Sequence, residues 1–484
     1  IDRDDGISLN TEFGLMSAFE VNVVGNSVDL VMHIRPNIPW HKGEGIFTTE
    51  DFKFSYGQMI REGGLFANVG NMQRFVNNDI ENMEVVDETT VILHSTKEWG
   101  IADMERTIMS QGILPQAYFE RVGGEDEFKL SPIGTGPWQF LEHRPGQSYK
   151  VEAVRDHWLK EAEFDTLTVV KVPESATQIA QLLAGQVDIV SMTPRQIQEV
   201  QGRSNIALIR SPDAIETYIV YGGMVLESKE GYDPTLPWTQ EHLMDESPTL
   251  VRRAMSISID REAIVERLLF GEGRVAAMPY FFDNSEAPWY SSRWTVRPYD
   301  PEGAKQAMID AGFEDGFTIK SFVFAMTEGG NLNGDIQEAI AGFWEDNLGV
   351  KVERVVTEYR PTVRTRLFDR TTAGFTWTFT QGTNTDVYNY FSGSCCFNSA
   401  SALGHWEIPE TDAFIFAAEK EFGDAAFRYN QMKQVGDLIY DKYLGFGVAR
   451  SNVIFAVRDD KISGWDFAPL TGRQLDFNYV IKAN

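Results

Sequence analysis

Phe317-Thr-Ile-Lys-Ser-Phe-Val-Phe324, the stretch Asp335 to Leu348 closed by Gly349, and Lys351-Val-Glu-Arg-Val-Val356 follow one another in that order. The first and third are short and rich in β-branched and aromatic residues, as strands are. The middle one carries the spacing of a helix and ends on a glycine. Strand, helix, strand is the unit from which an α/β layer is built. Moving outward, Pro301 to Gly312 predicts another helix, with Asp300 as N-cap, Pro301 in the first position and Gly312 at the C-terminal cap. Arg252 to Leu269 predicts two helices broken at Ser258-Ile-Asp-Arg261, the second capped by Asp260.

The same alternation occurs earlier, in strand Thr166–Val172, helix Ser175–Leu183 and strand Val187–Ser191, so two α/β lobes are expected. The N-terminal part reads as β-rich. Ser27 to Arg35 largely alternates apolar with polar residues, and Val85 to His94 predicts a hairpin around Asp87-Glu88. Thr48-Thr-Glu-Asp51 looks like a helix start with Thr as N-cap. With no internal repeat or low-complexity linker, short crossovers are expected between the lobes.

Bulk properties narrow the field. A length of 484 residues suggests two or three lobes. The formal charge of -28 repels nucleic acid and anionic lipid, so neither is an expected partner. No apolar run approaches the roughly eighteen residues of a membrane helix. The chain starts at Ile1 with no signal peptide, which is expected of a processed or truncated product. The two cysteines, Cys395 and Cys396, are adjacent, and neighbouring thiols could close only a strained ring.

A search for catalytic chemistry returns little. Histidines 33, 41, 94, 143, 157, 242 and 405 show no zinc-site spacing. No nucleophile elbow, P-loop or dinucleotide fingerprint occurs, and Gly271-Glu-Gly273 reads as a turn. Paired acids such as Glu50-Asp51 and Asp459-Asp460 are expected on any solvated face at this composition. A hydrolase built on two convergent carboxylates stays open as an alternative.

Five segments carry a resemblance. They are Ile34-Arg-Pro-Asn-Ile-Pro-Trp-His-Lys-Gly43 with Phe47 to Ser55; Ser131-Pro-Ile-Gly-Thr-Gly-Pro-Trp138 with Arg155-Asp-His-Trp158; Leu183-Ala-Gly-Gln-Val-Asp-Ile189; Val251 to Arg261; and Tyr299 to Lys305 leading to Ala311-Gly-Phe313. In order and spacing the set resembles extracellular solute-binding proteins of family 5, the peptide- and nickel-type receptors of ABC importers. Much of it is also explicable as scaffold: Gly134 and Gly136 would permit tight turns, and Arg252 and Asp260 would make local ion pairs or caps.

The resemblance implies an α/β, two-lobed periplasmic-binding-protein fold with mixed sheets, of type II and cluster C-like, in three domains. Domain II would span 1–130, with an N-terminal part of domain I expected ahead of it. Domain I would take 131–225 and 451–484, and domain III 226–450. It further implies a ligand-binding monomer, without enzymatic activity or cofactor, periplasmic or extracellular and free or lipid-anchored. It would close on a short peptide or other small polar solute and dock on an ABC permease in the inner membrane.

In peptide-binding members an aspartate after a Gly-Trp strand holds the ligand's amino group. Aligned on Trp377 it falls at Thr380, or at Gln381 with one insertion; neither is acidic, and Asp386 is the next acid. Arg366 matches a cavity-facing arginine of the relatives, with a structural salt bridge as its alternative. Trp377, Phe379, Tyr388, Tyr390 and Tyr218 are candidate stacking faces, with a place in the core as theirs. Nickel is disfavoured because no histidine falls in the identified cleft segments. An oligosaccharide-binding member and a ligand-sensing receptor without transport remain open beside the peptide reading.

Overall fold

The computed structural model describes residues 11–61, 69–98, 111–240, 242–280, 282–325, 332–382, 391, 397–401, 403–466 and 476–484. Strands β1 (Met16–Val24), β2 (Ser27–Ile34), β3 (Met83–Val85) and β4 (Thr90–Thr96) form an antiparallel sheet in the order β1-β2-β4-β3. Alternation along β2 buries Val28, Leu30, Met32 and Ile34, while the intervening side chains stay partly exposed. Helix α1 (Thr49–Ile60) lays Phe52 and Tyr56 on that core and starts as its sequence predicts. The Thr48 hydroxyl accepts the Asp51 amide at 3.2 Å, and the Asp51 carboxylate accepts the Thr48 amide at 2.9 Å.

β5 (Trp138–Arg144), β6 (Ser148–Ala153) and β7 (Thr166–Val170) make a three-stranded antiparallel sheet. The seam between it and the N-terminal unit explains two of the sequence motifs. His41 accepts the Gly134 amide on Nδ1 (3.1 Å), and its Nε2 bonds the Gly136 carbonyl (2.8 Å). Trp158 Nε1 donates to the Thr135 carbonyl at 2.9 Å, and the Arg35 guanidinium lies 5.9 Å from the Trp158 ring. The expectation that Gly134 and Gly136 serve tight turns is corrected. Neither has a positive φ; a Cβ on Gly134 would touch the His41 ring at 3.6 Å, and one on Gly136 would meet nothing within 4 Å. Their backbones matter as partners of His41.

The largest sheet has seven strands among the described residues: β8 (Ile189–Met192), β9 (Ile206–Tyr221), β10 (Gly273–Val275), β11 (Thr318–Val323), β12 (Lys351–Val356), β13 (Phe375–Gly382) and β14 (Phe446–Arg458). β11 pairs parallel with both β12 and β13, as the strand–helix–strand reading requires, whereas β9 lies antiparallel between β13 and β14. Helices α2 (Glu246–Ile257), α3 (Arg261–Arg267), α4 (Pro301–Asp310), α5 (Leu332–Leu348) and α6 (Ala425–Lys442) pack around its larger half.

Asp260 and Asp300 cap α3 and α4 through 2.9 Å and 2.8 Å bonds to the amides of Ala263 and Gly303. Arg252 departs from the expected ion pair. It is fully buried and donates to the carbonyls of Trp238, Leu243 and Lys442, so a cation is held by backbone dipoles where local charge was anticipated.

In place of short crossovers, β9 and β14 run unbroken from one core to the other. Tyr218–Tyr221 and Phe446–Ala449 belong to the large core. Beyond the crossing, Ile454 and Ala456 face one smaller core and Val453, Phe455 and Val457 another. The pairing slips between Ser451 and Val453, opposite Pro212–Ala214, where Asp213 takes φ 52°. A two-stranded sheet, Ile462–Trp465 with Val480–Lys482, closes the C-terminal end.

Candidate ligand site

The site grows from the two-residue period of β13. Thr376, Thr378 and Thr380 point to one face and Trp377, Phe379 and Gln381 to the other. The threonine face is the α5 side. Thr378 donates to the Asn333 carbonyl and Thr380 to Asn333 Oδ1, both at 2.9 Å, and Thr380 meets Thr217 across the strands at 3.0 Å. The first alignment of the missing aspartate, Thr380, is therefore a buried structural hydroxyl. The second, Gln381, lies on the aromatic face and donates to the Tyr218 hydroxyl at 2.7 Å.

Because β11, β12 and β13 are parallel, the residues at their carboxyl ends gather, where α/β sheets hold ligands. Phe324 stacks on Tyr359 (5.6 Å between ring centroids) and Tyr359 meets Phe379 edge-on (5.4 Å). Phe379 in turn stacks on Tyr218 (5.9 Å) and touches His405 (5.6 Å). Tyr218 is backed by Tyr280 at 4.6 Å. Trp377 lies one step deeper, wholly buried against Phe322.

Tyr218, Phe379 and Gln381 thus converge, and Trp377 forms the floor beneath them. Arg366 stands apart at the opposite end of β13: its guanidinium lies 5.2 Å from the Phe375 ring, and it donates to the Thr371 carbonyl at 3.1 Å. Asp386, Tyr388 and Tyr390, like Cys395 and Cys396, lie outside the described residues.

Three members escaped the sequence reading. His405 comes from outside the segments that the sequence reading assigns to the cleft. Its ring packs 6.1 Å from Trp377 and 5.2 Å from Phe397, and neither ring nitrogen has a hydrogen-bond partner. Burial pushes its pKa down to about 3, so it is neutral at ordinary pH. Arg364 lies close enough to His405 and Tyr359 to act on the titration of both. Tyr359, whose hydroxyl is raised above its ordinary pKa by burial, follows β12 in a single π-helical turn. No local pattern marks these residues; the parallel pairing of β11 with β12 and β13 brings Tyr359 to Phe379, and His405 joins them from a distant segment.

Most of the cluster is closed to solvent: Tyr218 and Trp377 are fully buried in the large core with Phe379 and His405, while Tyr359 and Gln381 are partly exposed at its edge. The partly exposed Tyr359 and Gln381 are the groups of this cluster that a bound molecule could reach, with the buried rings packed beneath them. Among the described residues, no group of three or more His, Cys, Asp or Glu side chains could hold a metal ion. No helix among them is long and apolar enough to cross a membrane.

Comparison with known proteins agrees on the type of molecule. The chain is 24% identical over 485 residues to heme-binding protein A of Haemophilus influenzae, covering 96% of this chain and 83% of that one. It is 24% identical over 482 residues to the dipeptide-binding protein of Escherichia coli, covering 94% and 84%. The solved structure of the ABC transporter substrate-binding protein CtaP from Listeria monocytogenes shares the fold, with a TM-score of 0.75 and 18% identity over 97% of this chain and 91% of that one. Residues 23–399 match the family described as bacterial extracellular solute-binding proteins, family 5. With that match spanning most of its length, and a mixed-sheet fold shared with two-lobed binding proteins, the chain belongs to family 5 of the bacterial extracellular solute-binding proteins.

Proposed function

We propose that this protein is the extracytoplasmic receptor of an ABC importer. It captures a peptide or peptide-like amino compound between its lobes and delivers it, without chemical change, to a membrane permease. The observation that carries this reading is the placement of the aromatic cluster beside the two strands that link the cores. Tyr218 on β9 and Gln381 on β13 sit a few residues from the slip at Pro212–Ala214, so a small rotation there moves one lobe across the ligand face. Contacts made to both lobes exist only when closed, and the ligand therefore shifts the population toward closure. The three-domain division set out from the sequence, action as a monomer and location outside the cytoplasm belong to the same proposal. The E. coli relative is named for dipeptides, which supports the ligand class.

The test is calorimetric titration of the full chain with di- to tetrapeptides, free amino acids and oligosaccharides, with the ligand recovered afterwards by mass spectrometry. A peptide that binds and returns intact is expected. Phe379→Ala should weaken it about 5-fold, since a stacked aromatic contact contributes about 1 kcal/mol beyond its buried area. Cleaved peptide would establish an enzyme instead. Binding confined to oligosaccharides would move the protein to another ligand class.

A further inference from the structure

A small, partly open cavity of about 20 Å³ lies at the edge of the large core. That is room for about one water molecule or one small ion. Arg261 reaches it from α3, and Arg297 from the segment before α4.

Arg261 is 5% exposed. Its Nε donates to the Gly447 carbonyl at 2.9 Å and its Nη2 to Ser256 at 2.8 Å, while Nη1 is buried with no partner. Arg297 lies flat on Tyr440, 3.6 Å from the ring centroid, and 5.0 Å from the Tyr443 ring. It donates through Nη2 to the Tyr440 carbonyl, and its Nε is buried with no partner. No Asp or Glu stands among the residues lining the cavity.

Two guanidiniums thus border one small, partly open space, each with an unused donor and no carboxylate among the lining residues to balance its charge. A water molecule would satisfy the donors and leave the charges uncompensated; an anion of the same size would do both. Burial already pushes the Arg261 pKa down to about 10, a sign of how poorly its charge is solvated. The protein's own charge of -28 disfavours anions at its surface, so the affinity would come from these two cations alone.

We propose that the cavity binds a monoatomic anion, with chloride as the abundant example, held between Arg261 Nη1 and Arg297 Nε. The anion would tie α3 to the end of α6, which carries Tyr440, and would make the large core's stability depend on halide identity.

Crystals of the full chain grown in bromide should show an anomalous peak in the cavity. Density there without anomalous signal, that is, water only, would overturn the proposal. In parallel, thermal unfolding is followed at fixed ionic strength in sodium chloride and in sodium gluconate, whose anion is too large to enter. The midpoint should be several degrees higher in chloride, and Arg297→Gln should abolish that difference while leaving a folded protein. Equal midpoints for the wild type, or a difference that survives in Arg297→Gln, would count against the site.

Discussion

Two histidines set opposite pH dependences. His41 is buried, accepts a hydrogen bond on Nδ1 and bonds a carbonyl through Nε2, so the neutral ring is the form that fits. Burial, aided by the nearby charges of His157 and Lys42, holds its pKa below the usual imidazole value of about 6.5. The native state then binds fewer protons than the unfolded chain. The stability His41 provides is complete above about pH 6.5 and declines as the pH falls from there through its folded pKa. His94 acts the other way. Asp29 Oδ1 (2.8 Å) and Glu84 Oε2 (3.0 Å) hold its ring and raise its pKa, so its contribution is present below about pH 6.5 and lost as the pH climbs through the raised value. His94 is substantially exposed, and solvent screening keeps its effect small. In a His94→Asn background, which removes the opposing term, urea titrations at pH 7.5 and 5 should show lower stability at pH 5. Adding His41→Phe should remove only part of that difference, since His405, held neutral down to about pH 3 by burial, keeps its own share, and should cost about 2 kcal/mol at pH 7.5 because the Gly134 amide and Gly136 carbonyl lose their partner. An unchanged pH slope would mean that other groups carry the acid sensitivity.

Within elements, the readings that succeed rest on local signals. The Thr48–Asp51 capping box is such a signal. Thr48→Ala should destabilise α1 by about 1 kcal/mol, seen as faster hydrogen exchange of the Asp51 and Phe52 amides, with ligand affinity unchanged. Slow exchange at those amides in the variant would show that tertiary packing fixes the helix start. Ser175–Leu183 and Lys351–Val356 match their sequence readings residue for residue for the same reason: periodicity and end signals fall inside one window. β9 was harder to read. Its 16 residues pass between different cores, so the pattern of burial changes midway, at Pro212–Ala214. Arg366 and His405 show the limit at the site. A motif alignment placed Arg366 near the ligand, but the backbone puts it at the amino end of β13. His405 arrives from a distant segment through contacts with Trp377 and Phe379 that no short window contains.

Motion of the whole molecule depends on what holds the crossing. Asp213, in its left-handed conformation on β9, accepts a 2.8 Å bond from Arg274, which also holds Asp283 at 2.8 Å. Asn452 on β14 bonds the Asp213 amide and Glu272, and Glu272 forms a two-pronged pair with Arg210. These side chains brace both linking strands where their pairing slips. If the slip is the pivot, weakening the brace changes the cost of rotation more than the cost of unfolding, since Arg274 and Asp213 are partly solvated and their pair contributes little to global stability. Asp213→Asn, which leaves the Arg274 pair with the buried Asp283 intact, should therefore leave the melting midpoint within a few degrees of wild type. It should alter ligand affinity several-fold, because affinity includes the cost of populating the closed form. Small-angle scattering should show a radius of gyration that contracts on ligand binding in both proteins, starting from a broader distance distribution in the ligand-free variant. A variant with wild-type affinity and scattering but a sharply lowered midpoint would identify the network as a static brace, and the pivot would have to be sought elsewhere along β9 and β14.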